Sequence, residues 1–89
     1  MFSIVKISDV KSDIGAWVKK LRGQHKLSQQ ELADRLNLSR ITIQNIENGK
    51  NFTIDTFLLI VQHFNQLEDF NAFLKSKKQE LDLNIKSIY

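Results

Sequence analysis

Two helix-start signals only eleven positions apart, Ser28 and Ser39, constrain this chain more than any other feature. Ser28 is followed three residues later by Glu31, a pattern in which each side chain satisfies an amide that the first helical turn leaves free. Leu32, Ala33 and Leu36 then supply an inner face. Asn37 is the expected stop, because asparagine tolerates positive φ better than most residues. Ser39 opens the next helix at once, which turns Ile43 and Ile46 inward and ends at Asn48-Gly49.

Helical spacing continues on both sides of this pair. A first helix is predicted from Ser12 or Asp13 to Arg22, with Ile14, Trp17, Val18 and Leu21 on one face. Asp13 near its start and Lys19, Lys20 and Arg22 near its end complement the helix dipole, and Gly23 is the expected left-handed stop. A fourth helix starts after Thr53 and buries Ile54, Phe57, Leu58, Val61 and Phe64. A fifth runs near Glu68 to Lys78 and offers Phe70, Phe73 and Leu74, with Leu67 leading in. Trp17, Phe57, Phe64, Phe70 and Phe73 all fall on inner faces, which favours core packing over base stacking. Phe52 has no evident burial partner. Leu81, Leu83 and Ile85 alternate with polar residues, the period of a strand, and Phe2, Ile4, Val5 and Ile7 are also β-prone. The expected organisation is an N-terminal tail over 1–11, a helical domain over 12–78 and a C-terminal tail over 79–89. The tails either form short strands, within a chain or across a dimer, or fray.

With 89 residues and 42% hydrophobic side chains, the chain suffices for one folded domain. Cysteine is absent, which removes disulfides, thiolate nucleophiles and most structural zinc sites. The two histidines, His25 and His63, lie in no metal-ligand or serine–acid pattern, and no glycine-rich loop could cradle a phosphate. Neither an enzyme nor a metal- or cofactor-dependent protein is expected. No apolar run is long enough to span a membrane, and Met1 to Val10 does not resemble a signal peptide, so a cytoplasmic protein is expected. The net charge of +3 is compatible with a polyanionic partner without specifying one.

Two short helices joined by a tight turn form the helix-turn-helix outline, which many helical hairpins share. Details narrow it. Ala33 is small where the two helices would cross, and Leu38, Ile43 and Ile46 plug the angle between them. The segment Leu27-Ser28-Gln29-Gln30-Glu31-Leu32-Ala33, then Leu38-Ser39, Ile43 and Ile46-Glu47-Asn48-Gly49-Lys50, resembles the Xre family of phage Cro and repressor-type DNA-binding domains, over roughly Ile14 to Leu74. One departure is Asn37, where the family usually has glycine. The resemblance implies an all-α, five-helix, lambda-repressor-like fold whose third helix lies in the major groove of double-stranded DNA. It implies base contacts from Arg40, Ile41, Gln44 and Asn45: arginine for guanine, glutamine or asparagine for adenine, and isoleucine for a thymine methyl. Phosphate contacts fall to Gln29, Ser39, Thr42, Asn48 and Lys50, and Arg22 with Glu47 is similar to the family's structural ion pair.

One domain of this size offers too little base contact for a useful specificity ratio, so a homodimer on a palindromic operator is expected. Leu67, Phe70, Phe73 and Leu74 are the expected interface, because they give more apolar surface than a terminal helix needs internally. A module this short suits three tasks: the antitoxin of a toxin–antitoxin operon, a phage-type repressor, or a restriction-modification controller. The run Thr53-Ile54-Asp55-Thr56 into Leu58-Leu59, and later Leu67-Glu68-Asp69-Phe70, is similar to HipB-like antitoxins, which repress their own promoter and hold a HipA-like kinase toxin. A helical adaptor that contacts only proteins is the alternative of another class.

Overall fold

The computed structural model describes residues 4–88 as five helices: α1 (Ile7–Gln24), α2 (Gln29–Leu36), α3 (Arg40–Glu47), α4 (Ile54–His63) and α5 (Leu67–Ile88). Three helix starts carry the expected hydroxyl caps. Ser28 Oγ accepts the Glu31 amide at 3.0 Å, Ser39 Oγ the Thr42 amide at 3.1 Å, and Thr53 Oγ1 the Thr56 amide at 3.2 Å. Glu31 in turn accepts the Ser28 amide at 2.9 Å, a bond that lowers its carboxyl pKa. α1 begins five or more residues earlier than its periodicity predicts. The Lys6 amide donates to the Asp9 carboxylate at 2.9 Å, so Asp9 rather than Asp13 organises the first turn.

The first four helices all end in the same way. Lys26, Asn37, Gly49 and Asn65 have φ of 55°, 55°, 75° and 59°. In each case the amide of the following residue reaches back over the last turn: Leu27 to the Arg22 carbonyl, Leu38 to Ala33, Lys50 to Asn45 and Gln66 to Val61, at 2.8–3.1 Å. These bonds satisfy carbonyls that a helix end would otherwise leave open. At α1 this differs from expectation: Gly23 stays inside the helix and Lys26 takes the left-handed conformation. The reason is Leu27, which is buried and can close back on Arg22 only if the residue before it turns left-handed.

The core is built from Val18, Leu32, Ala33, Ile43, Ile46, Ile60 and Val61, all without solvent exposure, with Leu21, Leu27, Phe57 and Phe64 around them. On α4 the buried stripe is Phe57, Ile60, Val61 and Phe64. Ile54 was expected inside and is instead 61% exposed, and Leu58 is only half-buried. Phe57 anchors an aromatic cluster, with ring centroids 6.2 Å from Trp17, 5.8 Å from Phe52 and 5.5 Å from Phe70. Phe52, unplaced from its sequence context, thus packs under the loop that precedes α4. Phe73 is not on the inner face; it is 54% exposed.

No strand occurs among the described residues. The expectation of a strand over Leu81 to Ile85 is overturned, since this stretch continues α5. A strand needs a partner for its backbone groups, whereas Gln79, Glu80 and Leu81 are good helix formers with no proline or glycine to stop them. At the other end, Ile7 and Val10 open α1 rather than a strand, and Phe2 lies outside the described residues. No helix of the described residues is long and apolar enough to cross a membrane.

α1 crosses the end of α3 at Gly15, which is buried. A Cβ placed there would lie 2.5 Å from the Ile46 carbonyl oxygen and 2.7 Å from that of Glu47. The obstacles are backbone atoms, which cannot rotate away. In an isolated helix Gly15→Ala would be favourable by about 1 kcal/mol; in this fold it is expected to destabilise by about 1–3 kcal/mol through overpacking. Chemical denaturation checks this, and a variant as stable as the parent would mean that the two helices can part at little cost.

Candidate nucleic-acid interface

α3 is eight residues long and anchored along one side by Ile43 and Ile46. Asn37 positions it: with φ 55° and ψ 42° at this residue, α2 ends, the chain reverses, and Ser39 returns to extended backbone to cap α3. Ala33 is fully buried beneath the turn, where its small side chain admits the close crossing. The opposite side of α3 presents Arg40, Ile41 and Gln44, all exposed, with Asn45 half-buried beside them. Ile41 is 65% exposed, a branched aliphatic side chain held in water between an arginine and a glutamine. The four residues assigned to base contact therefore lie on or beside one solvent face, and Asn45 is the most recessed.

The Arg22–Glu47 pair forms as expected. Arg22 Nε donates to Glu47 Oε2 at 2.8 Å and Nη2 to Oε1 at 2.9 Å, a bidentate geometry, while Nη1 donates to the Leu27 carbonyl at 2.9 Å. The side chains are 16% and 3% exposed. Burial pushes the Glu47 carboxyl up, but hydrogen bonds from Arg22 and Gln29 and the charges of Arg22 and Lys19 outweigh it, and its pKa falls below the ordinary value. The bond to Glu47 raises the Arg22 pKa against the opposing effect of burial.

The residues assigned to phosphate contact divide into two groups. Ser39 and Thr42 sit at the start of α3, where the Thr42 hydroxyl lies 2.8 Å from Ser39 Oγ. The cap serves Thr42, which leaves the amides of Arg40 and Ile41 at the open end of the helix. Gln29 belongs to the second group. Its Nε2 donates to Glu47 Oε1 at 3.1 Å, which places the start of α2 beside the end of α3, next to Asn48 and Lys50. Asn48 and Lys50 are exposed, and the left-handed Gly49 lets the backbone turn between them. The Gln29–Glu47 bond is a link that sequence reasoning missed, since nothing in residues eighteen apart signals it. Gly15 was also missed, although a glycine inside an amphipathic helix is itself a signal of close approach.

The helix-turn-helix family model matches residues 18–70. The chain belongs to the helix-turn-helix family. That match spans the end of α1, the α2–turn–α3 unit, α4 and the start of α5, and it makes the protein a DNA-binding transcription regulator. No curated protein matches the chain.

The stability of this helix-turn-helix protein should respond to Arg22 and Glu47 in two ways. Arg22→Ala leaves a carboxylate almost excluded from water without its partner, and a loss of about 3–5 kcal/mol is expected in denaturant titrations. The second response is to acid. Because the folded-state pKa of Glu47 is lowered, its contribution is complete above the unfolded-chain value of about 4.3. It drains away as pH falls through the lower folded value. Glu47→Gln should therefore be less stable at neutral pH and lose less of its remaining stability below that point. Parallel stability–pH curves for the two proteins would contradict the assignment.

Proposed function

We propose that the protein is a sequence-specific repressor that reads a palindromic operator in double-stranded DNA as a homodimer. Arg40, Ile41, Gln44 and Asn45 meet base edges, and Gln29, Ser39, Thr42, Asn48 and Lys50 meet phosphates on either side of the groove. The observation that carries this reading is the exposure of Ile41 between Arg40 and Gln44 on a helix locked by its other face. An aliphatic side chain in that place costs solubility without adding to the core, and a thymine methyl gives it a partner. Dimerisation involves α5. Leu67, Phe70 and Leu74 line an open groove with Leu58, about 360 Å³ in volume, and Phe73 is exposed beside it.

The regulatory task proposed is that of a cytoplasmic antitoxin that represses its own promoter and binds a HipA-like kinase toxin. Its support is the similarity of the Thr53–Leu59 and Leu67–Phe70 segments to HipB-like antitoxins. A repressor without a toxin partner, of phage type or a restriction-modification controller, is the second reading, favoured by the helical course of Leu81 to Ile85, since a strand-forming tail there would have added to the similarity to HipB-like antitoxins. Co-purification of the chain with its neighbouring gene product separates the two.

Arg40→Ala and Asn45→Ala should each weaken operator binding by about 1–3 kcal/mol with the fold intact. Lys50→Ala should weaken binding to all duplexes alike and reduce the slope of log affinity against log salt by about one unit. Electrophoretic mobility or anisotropy titrations at several salt concentrations measure both effects. No effect of the α3 substitutions on any duplex would instead support an adaptor that contacts only proteins.

A further inference from the structure

The carboxylate of Glu47 attracts more positive charge than it can pair. Arg22 donates to both of its oxygens, and Gln29 adds a neutral donor to Oε1. Lys19 is near enough that its charge also lowers the Glu47 pKa, yet it forms no ion pair among the described residues. Helical period explains its place. Lys19 follows Ser12 by two turns, so the two share one stripe of α1. That stripe borders the end of α3, since a Cβ built on Gly49 would lie 3.5 Å from Ser12 Cα. Lys20, the next residue, is turned about 100° further around α1, away from α3. One turn to either side of Lys19 stand Gly15, Ala16, Arg22 and Gly23, none of them acidic. Two cations thus face one buried carboxylate, and the unpaired one is exposed.

We infer that Lys19 is a further phosphate contact, which together with Gln29 holds one backbone phosphate of the duplex between α1 and the start of α2. The inference rests on the DNA reading above and extends its footprint to α1, outside the helix-turn-helix unit. The two side chains divide the task. Gln29 carries two amide hydrogens: Glu47 accepts one and fixes the side chain, and the other is left to donate. A single neutral donor holds a phosphate weakly, and a hydrogen bond from a charged group is about twice as strong. Lys19 supplies that charge as a compact ammonium on a flexible stem, which can follow a phosphate oxygen. Glu47 by itself would repel the phosphate. Arg22 offsets its charge through the bidentate bond, and the carboxylate is almost excluded from water. The residual attraction of Glu47 keeps the Lys19 ammonium beside Gln29 before DNA arrives, so less ordering is left for the complex to impose.

A lysine–phosphate contact carries no sequence information, so a mixed-sequence duplex serves as the probe. Lys19→Ala, Lys20→Ala, Gln29→Ala and the Lys19→Ala, Gln29→Ala double variant are compared with the parent by anisotropy at several salt concentrations. Circular dichroism confirms the fold of each. Lys19→Ala is expected to lower the slope of log affinity against log salt by about one unit, which means about eightfold weaker binding at about 0.1 M salt. Lys20→Ala should keep the parent's slope, and Lys19→Arg should keep it too. Because Lys19 and Gln29 share a phosphate, the double variant should lose less than the product of the two single losses. An unchanged slope in Lys19→Ala, or an equal fall in Lys20→Ala, would overturn the contact while the DNA reading stands. Single losses that simply multiply would overturn the shared phosphate. A parent chain that binds no duplex would refute the DNA reading and this contact together.

Discussion

The carboxylate of Glu47 is where three elements of this protein are joined. Arg22 at the end of α1, Gln29 at the start of α2 and the last turn of α3 all converge on it, and the remaining arm of Arg22 holds the Leu27 carbonyl in the connection between α1 and α2. Gly15 makes the convergence sterically feasible by letting α1 lie directly on the Ile46 and Glu47 carbonyls. A buried ion pair of this kind adds little net stability over a well-packed apolar substitute, but it is costly to break and it specifies geometry. What it specifies here is the orientation of α3, the helix whose free face carries Arg40, Ile41 and Gln44.

That orientation is reinforced at the termini. Each of the first four helices closes its C-terminal end with a left-handed residue and a bond from the next amide, so the connections are as defined as the helices. Short helices gain most of their stability from packing rather than propensity, and α2 and α3, at eight residues each, depend on these closures and on the serine caps. A surface presented this way has little freedom left to lose, since the backbone on both sides of the turn is already set. α5 stands apart from this economy: half of it seals the aromatic cluster and half extends beyond the body.

Much of the architecture was legible in advance because its signals are local. Ser28, Ser39 and Thr53 cap helices wherever they precede an apolar periodicity, and Asn37 turns left-handed because its side chain tolerates that region. The interior stripe of α3 and its free face follow from a spacing of three and four residues. Errors arose where a pattern had two readings. The alternation of Leu81, Leu83 and Ile85 is a strand period, yet Leu74 and Leu81 continue the ridge of a helix already under way. Ile54 fits the α4 stripe by sequence, but it is the first residue of α4, where the end of the helix leaves it 61% exposed.

Residue identity alone determined that there are five helices, that three of them start at the hydroxyl caps Ser28, Ser39 and Thr53, the turn at Asn37 and the face of α3 left to solvent, since each follows from capping chemistry or helical period within a few positions. Only the tertiary structure decided that Lys26 rather than Gly23 turns left-handed, that Gln29 bonds to Glu47, that Phe52 stacks toward Phe57 and that Gly15 sits under two carbonyls. These depend on which distant groups come together and how closely. No local propensity encodes a distance between segments; packing sets it.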